Sequence, residues 1–409
     1  MASLLYLSSS VPYPADSGER VLRQQHLRDL AAKHRVIGFF VDTEGGREEA
    51  MTHFRALGVE THYRPRPRAS SGSGLRGLAA VARSALGSPL HWHAAMATCQ
   101  AYRKEVAHLV ATRKPEAIVV DHINAIGLLP RDLLGGRVPV LTVLHDDARR
   151  LYTDLARIGN GPARGIYALD AMKAGRLQDK IVQRATRPVC ISAADREALA
   201  VRHGPNRVGL AQAILPPRGD RWIGDYGDVF FCGSPGFPPN RDAIGWLAGP
   251  FALAMRYAAP DVRIRIAGCP PERSPASRDA GNVDFLGFLP RADLERHYRG
   301  SGVFVCPIRY GSGVKIKLLE ALSFGAPVAA TREAADSVGF LTGHAEIDMS
   351  DPVGAARRIA AILADHRGRA CMAEAGARDL ASAVSRAQCA RLNVADHVDA
   401  MVKEARPGA

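Results

Sequence analysis

The sequence predicts an α/β protein built from two doubly wound, Rossmann-like domains that face each other across a cleft. Short apolar runs of strand length alternate with segments of helical periodicity, which is typical of a parallel sheet covered by helices. This series is interrupted by irregular sequence around Pro216-Pro217-Arg218-Gly219-Asp220 and then begins again. A chain of 409 residues is long enough for two domains, each with its own core.

The N-terminal domain is predicted to span residues 1–205, with a linker over 206–227. Leu4–Leu7 predicts the first strand, and Gly18–Lys33 predicts a helix after a proline-containing loop. Further strands are expected at 35–41, 117–120, 138–144 and 189–192, and helices near 48–57, 93–112, 165–184 and 193–203. Asp121, His122 and His145 directly follow two of these strands, where ligands bind in such sheets.

The C-terminal domain is predicted to span residues 228–385, followed by a helical segment, 386–409, that packs back on the N-terminal domain. Its strands are expected at 228–232, 262–267, 284–286, 303–307 and 328–331. Helices are expected at 240–253 and 294–299, and over most of 352–403. The pattern again indicates alternating strands and helices.

A glycine-rich turn links the strand Val303–Pro307 to a helix: Gly311-Ser312-Gly313-Val314-Lys315-Ile316-Lys317. Such a turn presents backbone N–H groups and the positive end of the helix dipole, and the two lysines add charge, which predicts an anion site. An ordinary turn with lysines on a solvated face is the alternative. The spacing fits neither a Walker A loop nor a dinucleotide fingerprint.

The chain carries a net charge of +13, and almost all of the excess lies before residue 225. This distribution predicts an anionic partner: a membrane surface, a phosphorylated acceptor or nucleic acid. Nucleic acid is disfavoured, because no aromatic–basic interleaving occurs. The basic segment 64–68 and a helix candidate at Leu75–Leu86 indicate either peripheral contact with a membrane or a packed surface helix. A basic composition without a specific partner is the alternative.

The seven cysteines are scattered and never spaced as Cys-x-x-Cys, which predicts free thiols in a reducing compartment. The N-terminus lacks the basic start of a signal peptide, and no apolar run approaches the roughly 20 residues of a membrane span. We therefore expect a cytoplasmic protein, either free or peripheral at the inner face of the membrane.

Several separated motifs resemble GT-B glycosyltransferases, in particular the family-4-like group that uses nucleotide-sugar donors. The C-terminal half carries four of them in order: Gly233-Ser234-Pro235 with 239–243, Ile266-Ala267-Gly268, Val283–Gly287, and Gly311–Glu320 with 325–331. The loop Pro12–Arg20 is similar to the glycine loop after the first strand of that fold, and Ser192–Asp195 resembles its closing strand and helix.

The resemblance implies residue roles. Glu320 would accept hydrogen bonds from the donor ribose, and a carboxylate is suited to two hydroxyl donors. Lys315 and the backbone of Gly311, Ser312 and Gly313 would hold the leaving diphosphate. His145 would approach the donor sugar. Further donor contacts are implied at Gly18, Gly233, Ser234, Arg241, Leu286, Phe288 and Lys317, and acceptor contacts at Asp16, Arg20, Asp121 and His122.

Alternatives remain for two of these residues, and the chain departs from the family pattern. The alternative role for Glu320 is an intrahelical ion pair with Lys317. The alternative for His145 is an ordinary loop histidine. Ser312 stands where the family usually has a glutamate. Ser234 and Asn240 stand where it usually has arginine and lysine, which shifts phosphate neutralisation to Lys315, Lys317 or Arg241.

The predicted function is transfer of a sugar from a nucleotide-diphosphate donor to a hydroxyl acceptor, with retained configuration. No cofactor or metal ion is expected, since Asp146-Asp147 lacks the spacing of a metal motif. The acceptor would be anionic or lipid-linked, because the N-terminal half is basic. Two alternatives are a catalytically inactive GT-B-shaped scaffold subunit and a nucleotide-sugar epimerase or hydrolase.

Overall fold

A computed structural model describes residues 1–15, 17–42, 47–65, 99–159, 161–218, 222–273 and 281–406. The chain divides into two compact units, Met1–Ala213 with Ala390–Ala409, and Ile214–Cys389. Each unit contains one parallel sheet whose strands are connected through helices. The predicted fold class, α/β with two Rossmann-like domains, is confirmed.

The first unit is built on a seven-stranded sheet in the order β3-β2-β1-β4-β5-β6-β7. Its strands are β1 (Ser3–Ser8), β2 (Arg35–Asp42), β3 (Val59–Pro65), β4 (Ala117–Asp121), β5 (Val140–Leu144), β6 (Arg187–Cys190) and β7 (Gly209–Leu210). The helices described between them are α1 (Gly18–Ala31), α2 (Arg47–Ala56), α3 (Gln100–Arg113), α4 (Ala148–Ile158), α5 (Pro162–Arg184) and α6 (Ala193–His203).

The central strands of this sheet are buried along their whole length. Every residue of β4 and β5 is buried, as are Leu4–Ser8 of β1. Parallel strands covered on both faces need continuous apolar side chains, which explains the uninterrupted apolar runs in the sequence. In the described ranges, no helix is both long and apolar enough to cross a membrane.

The second unit contains a six-stranded sheet in the order β10-β9-β8-β11-β12-β13. Its strands are β8 (Val229–Cys232), β9 (Ile264–Ala267), β10 (Val283–Gly287), β11 (Val303–Cys306), β12 (Val328–Ala330) and β13 (Ala345–Glu346). The helices are α7 (Pro238–Trp246), α8 (Ala252–Ala258), α9 (Arg291–Gly300), α10 (Ile316–Ser323), α11 (Arg332–Val338), α12 (Pro352–Ala364) and α13 (His366–Cys389).

The end of α10 follows the glycine stop signal in the sequence. Gly325 has a φ of +73°, a conformation that glycine adopts without a steric penalty. The N–H of the next residue, Ala326, donates to the carbonyl of Ala321 at 2.9 Å, which closes the helix with a Schellman-type bond. Pro327 then leads directly into β12.

The predicted elements differ from the observed ones in several places. The helix expected over 240–253 is divided, because Gly249 is non-helical (φ −110°, ψ −108°) and Pro250 lacks an N–H. The segment 206–227, expected to be an irregular linker, begins with β7, which extends the first sheet. Helices α4 and α11 and strands β3 and β13 were not predicted. The helix candidate Leu75–Leu86 and the first residues of the helix expected at 93–112 lie outside the described residues.

The last helix, α14 (Val394–Ala405), packs in the first unit although it follows the second unit in sequence. It contacts α1, β5 and β6. Lys33 pairs with Asp396 at 2.7 Å, and Arg187 pairs with Glu404 at 2.6 Å. Val398 and Met401 are buried at 0% and 1% exposure, so an apolar face accounts for most of the contact.

Because α14 covers core of the first unit, Val398→Asp should destabilise that unit by about 3–5 kcal/mol, since it buries an unpaired carboxylate. Urea denaturation followed by circular dichroism measures the loss. The matched control is Val201→Asp on α6, whose side chain is 89% exposed and which should leave the transition unchanged. Equal behaviour of the two variants would contradict the packing of α14.

Candidate functional site

In the second sheet, the strand order reverses between the two central strands, β8 and β11. From β8 the chain continues outward to β9 and β10, and from β11 it continues outward to β12 and β13 on the other side. Connections leave these two strands in opposite directions, so a crevice forms beyond their carboxyl ends, where α/β proteins bind ligands. The loop after β8 starts with Gly233-Ser234, and the loop after β11 contains Gly311 and Gly313. Gly311 and Gly313 have φ values of +98° and +78°, which favour glycine at both positions.

Glu320 lies in the first two turns of α10, with its side chain buried. Arg291 Nη1 donates to Glu320 Oε1 at 2.5 Å, and Tyr298 Oη donates to Oε2 at 3.4 Å. Arg291 in turn donates from Nε to Glu295 at 2.7 Å. The carboxylate is therefore oriented by an arginine that is itself held in place, which keeps a buried charge paired. The alternative ion pair between Glu320 and Lys317 does not form.

Lys315 directs its ammonium group onto its own loop. The Nζ atom donates to the carbonyls of Gly311 at 3.0 Å, Ser312 at 3.3 Å and Gly313 at 2.9 Å. An ammonium group has three hydrogens, so these bonds use all of them. Lys315 thereby fixes the shape of the glycine-rich turn.

Lys317 points the other way, toward the loop after β8. Its Nζ atom hydrogen-bonds Asn240 Oδ1 and lies 4.5 Å from the centre of the Phe231 ring. Burial lowers the pKa of this lysine below its ordinary value. A Cβ added to Gly233 would lie 2.8 Å from Nζ, so the ammonium rests directly on the glycine backbone.

The other predicted donor residues are spread along this edge. The Ser234 carbonyl accepts from Asn240 Nδ2 at 3.1 Å, and Arg241 Nε donates to the Pro235 carbonyl at 3.0 Å, so both residues shape the loop. Leu286 lies in β10, and Phe288 follows that strand with 68% of its side chain exposed. Arg291, Tyr298 and Asn240 were not predicted as partners, because these contacts join separate elements.

The first unit gathers polar side chains around Asp121, the last residue of β4 and fully buried. His145 Nε2 lies 2.5 Å from Asp121 Oδ1, and His26 Nδ1 lies 2.9 Å from Oδ2. Tyr6 Oη donates to Oδ2 as well, and Arg23 Nε lies 3.9 Å from Oδ1. Burial alone would raise the pKa of Asp121, but the two histidines hold it well below the usual range.

The prediction that Asp121, His122 and His145 lie together is met by the geometry, since the His122 and His145 ring centres are 4.9 Å apart. Gly18 is the first residue of α1, and Arg20 follows in the same helix. Asp16 lies outside the described residues. His26 was missed as a site residue because helical periodicity assigned it to the core-facing side of α1, and Arg23 was not predicted to be buried. His26 and Arg23 are 5% and 0% exposed, and polar side chains that are buried on a helix face indicate a polar site within the core.

His26 Nδ1, His145 Nε2 and an Asp121 oxygen lie within 4.8 Å of one another, a ligand set and spacing that suit a metal ion. The ionised Asp121 accepts only, so each facing imidazole nitrogen carries a hydrogen and offers no lone pair. The Arg23 guanidinium beside the cluster also opposes a second positive charge. The geometry therefore favours a hydrogen-bonded cluster, and the absence of a metal requirement stays a prediction.

Residues 227–365, which include the whole edge with Lys317 and Glu320, match the sequence model of the family described as "Glycosyl transferases group 1". Over these residues, called the group 1 domain below, the chain is similar to that family. The resemblance predicted from the motifs is confirmed. No curated protein sequence matches the chain.

Solved structures match both the group 1 domain and the unit before it. Sucrose-phosphate synthase from Thermosynechococcus elongatus has a TM-score of 0.64 at 14% identity, covering 96% of this chain and 98% of that one. TarM from S. aureus gives 0.62 at 8% identity, covering 93% and 96%. HepE from Anabaena gives 0.58 at 14% identity, covering 93% and 95%. At these identities the likeness establishes the fold, which is GT-B.

His122 predicts a pH dependence of stability. Burial lowers its pKa well below the ordinary value, and so do the neighbouring His145 and Arg23. Its Nδ1 accepts from the Asn124 N–H at 3.1 Å, a bond that needs the neutral ring. The unfolded chain takes up a proton near pH 6.5 that the folded chain does not, so the free energy of unfolding should fall as pH decreases from 7 to 5.

The variant His122→Asn keeps an acceptor for the Asn124 N–H and removes the titrating group. Below about pH 6 its free energy of unfolding should fall less steeply than that of the wild type, by about 1.4 kcal/mol per pH unit. Urea denaturation at pH 7.5, 6.0 and 5.0 measures both slopes. Parallel slopes would show that His122 does not contribute.

Proposed function

We propose that the chain transfers a sugar from a nucleotide-diphosphate donor to a hydroxyl acceptor, with retained anomeric configuration and without a metal ion. The observation that carries the proposal is the edge of the group 1 domain. There a buried, oriented carboxylate, Glu320, shares one helix with Lys317 beside two glycine loops. A carboxylate that accepts hydroxyl hydrogens and a cation that meets phosphate are the two groups that a nucleotide diphosphate requires.

In the reaction, the bond between the anomeric carbon and the diphosphate oxygen breaks, and the acceptor oxygen bonds to the same carbon. The electron pair leaves on the diphosphate, and the acceptor hydroxyl passes its proton to an oxygen of that leaving diphosphate. Positive charge placed where the leaving group develops its negative charge stabilises the transition state more than the ground state. Glu320 holds the ribose, so it fixes the position of the reacting end of the donor.

The first unit supplies the predicted acceptor-side groups. The acceptor-side candidates are Asp16, Arg20, Asp121 and His122, and Asp121 also holds His145, the group predicted to approach the donor sugar, through its Nε2. The exposed basic side chains of this unit, such as Arg131, Arg137 and Arg164, favour an anionic or lipid-linked acceptor. Peripheral contact with an anionic membrane belongs to the same proposal.

Structures of similar fold suggest which donor to try first. HepE binds UDP and glucose, TarM binds UDP and alpha-GlcNAc-glycerol, and the E. coli trehalose-6-phosphate protein binds UDP-2-fluoro glucose. We therefore place UDP-sugars first in a panel that also contains GDP-, TDP- and ADP-sugars. A cognate donor should raise the melting temperature through mass action.

Glu320→Gln keeps the shape of the side chain and removes its charge. It should lower the rate of sugar transfer by about 100-fold or more, because the ribose loses its charged acceptor. Transfer is measured by mass spectrometry of the glycosylated acceptor. Glu374→Gln, at a side chain that is 71% exposed on α13, is the matched control and should retain full rate. Full activity of Glu320→Gln would contradict the donor site.

Removal of metal ions should leave the transfer rate unchanged. The enzyme is dialysed against EDTA and assayed with and without added Mg²⁺, Mn²⁺ or Zn²⁺. Loss of activity that a divalent cation restores would refute metal independence. Consumption of a nucleotide sugar without any acceptor would instead favour the epimerase or hydrolase alternative.

A further inference from the structure

The carboxylate of Glu295 on α9 is shared by arginines from separate parts of the chain. Its Oε1 atom accepts from Arg291 Nε at 2.7 Å and from Arg218 Nη1 at 2.9 Å. Arg299 Nη2 lies 3.7 Å from its Oε2 atom. The Glu295 side chain is 18% exposed, so water screens these pairs less than it screens pairs on an open surface. One carboxylate therefore fixes the position of Arg218 relative to Arg291.

The ring of Phe324 provides a common surface for the same arginines. The guanidinium carbon of Arg218 lies 5.0 Å from the ring centre, and those of Arg291 and Arg299 each lie 5.8 Å from it. Cations at such distances are attracted to an aromatic face, and Phe324 is itself only 1% exposed. The Phe324 N–H donates to the Glu320 carbonyl at 3.1 Å, which attaches the ring to the end of α10. The arginines thus pack against the helix that carries Glu320.

Arg218 lies in the entry segment, residues 214–227, by which the chain passes from β7 into the second unit. Its backbone N–H donates to the carbonyl of Ser323, the last residue of α10, at 2.8 Å. Further along the segment, Trp222 Nε1 donates to the carbonyl of Ser301, directly after α9, at 2.7 Å. The segment is therefore attached to the ends of both helices, and the Arg218 side chain connects it to the shared carboxylate.

Glu320 keeps room for a ligand while Arg291 holds it. Arg291 Nη1 donates to Oε1 at 2.5 Å, and Tyr298 Oη donates to Oε2 at 3.4 Å. A carboxylate has about four lone-pair sites, so two of them stay available to ribose hydroxyls. Their directions depend on how the carboxylate is turned, and Arg291 sets that orientation. Since the guanidinium is planar and rigid, its contact with Glu295 at Nε also fixes the direction of Nη1.

The contacts form one continuous chain, Arg218–Glu295–Arg291–Glu320, in which every neighbour has the opposite charge. We propose that Arg218 and Glu295 are positioning residues, which hold Arg291 and through it turn Glu320 toward the donor ribose. Charged hydrogen-bond networks of this kind act as a unit, so a loss at one end is felt at the other. The inference rests on the role of Glu320 in the proposed function and extends the donor site to the entry segment.

The test compares a nucleoside diphosphate with its 2′-deoxy form, because the two differ only in a hydroxyl that Glu320 would accept. Isothermal titration of the whole chain with UDP, GDP and ADP, and with their 2′-deoxy forms, gives the ratio of dissociation constants, called the hydroxyl preference. The wild type should favour the ribose form of its cognate diphosphate roughly 10-fold, as a hydrogen bond to a charged group predicts. Glu320→Gln should remove most of this preference.

Glu295→Gln and Arg218→Met should each lower the hydroxyl preference roughly 3-fold or more and change affinity for the deoxy form less than about 2-fold, because only the orientation of Glu320 is affected. Arg218→Lys keeps the charge without the planar fork and should restore part of the preference. In a Glu320→Gln background, Arg218→Met should have no further effect, since residues that act through one another are not additive.

Arg296→Met is the matched control. Arg296 is next to Glu295 on α9, but its side chain is 66% exposed and pairs with Asp293 at 2.9 Å, outside the chain of contacts. The variant should leave the hydroxyl preference unchanged. Circular dichroism and thermal unfolding establish that each variant is folded. Arg218→Met, at a side chain that is 46% exposed, provides the result if Glu295→Gln does not fold.

The outcomes separate the inference from the proposed function. If Glu320→Gln abolishes the hydroxyl preference while Arg218→Met and Glu295→Gln keep it, the inference is overturned and the proposed function stands. The same holds if these two variants weaken the ribose and deoxy forms equally, which is the result of a purely structural role. If the wild type binds none of the diphosphates, both are overturned. A wild type that binds one without distinguishing its deoxy form overturns the inference, and the transfer assay of Glu320→Gln then decides the proposed function.

Discussion

Parallel pairing outward from one central strand is the constraint on which both units depend. β1 pairs with β2 on one side and with β4 on the other, and β8 pairs in the same way with β9 and β11. Parallel strands require crossover connections, which cover the sheet with helices and bury it on both faces. The same pairing brings all carboxyl ends to one edge and leaves a crevice where the order reverses.

At that edge, each unit buries charge, and the two units balance it differently. The first surrounds one carboxylate, Asp121, with two imidazoles, a phenol and a guanidinium, so its charge is satisfied within the fold. The second separates its charges: Glu320 is paired with Arg291, whereas Lys317 has neutral partners. A self-satisfied cluster suits the orientation of a histidine, and an unbalanced cation suits a site completed by an anionic ligand.

The sequence predicted the strands and the site loops more successfully than the side-chain partners. Fully buried parallel strands and a glycine stop such as Gly325 leave strong local patterns. The division of the helix near Gly249 depends on how a proline is accommodated within a buried helix. The place of α14 depends on which apolar face remains uncovered in the first unit, whose main segment ends at Ala213, long before α14 begins.

The sequence by itself determined the α/β class, the two domains, the family resemblance, the positions of Asp121 and His145 at strand ends and that of Glu320 in the helix after the glycine-rich turn. Periodicity and motif order are properties of the sequence itself, so they can be recognised without a structure. Tertiary structure decided the partners. His26 meets Asp121 from 95 residues away, and Asn240 meets Lys317 from 77 residues away. Which groups Lys315 and Lys317 contact depends on such long-range packing, because neighbouring lysines on one turn are indistinguishable by spacing.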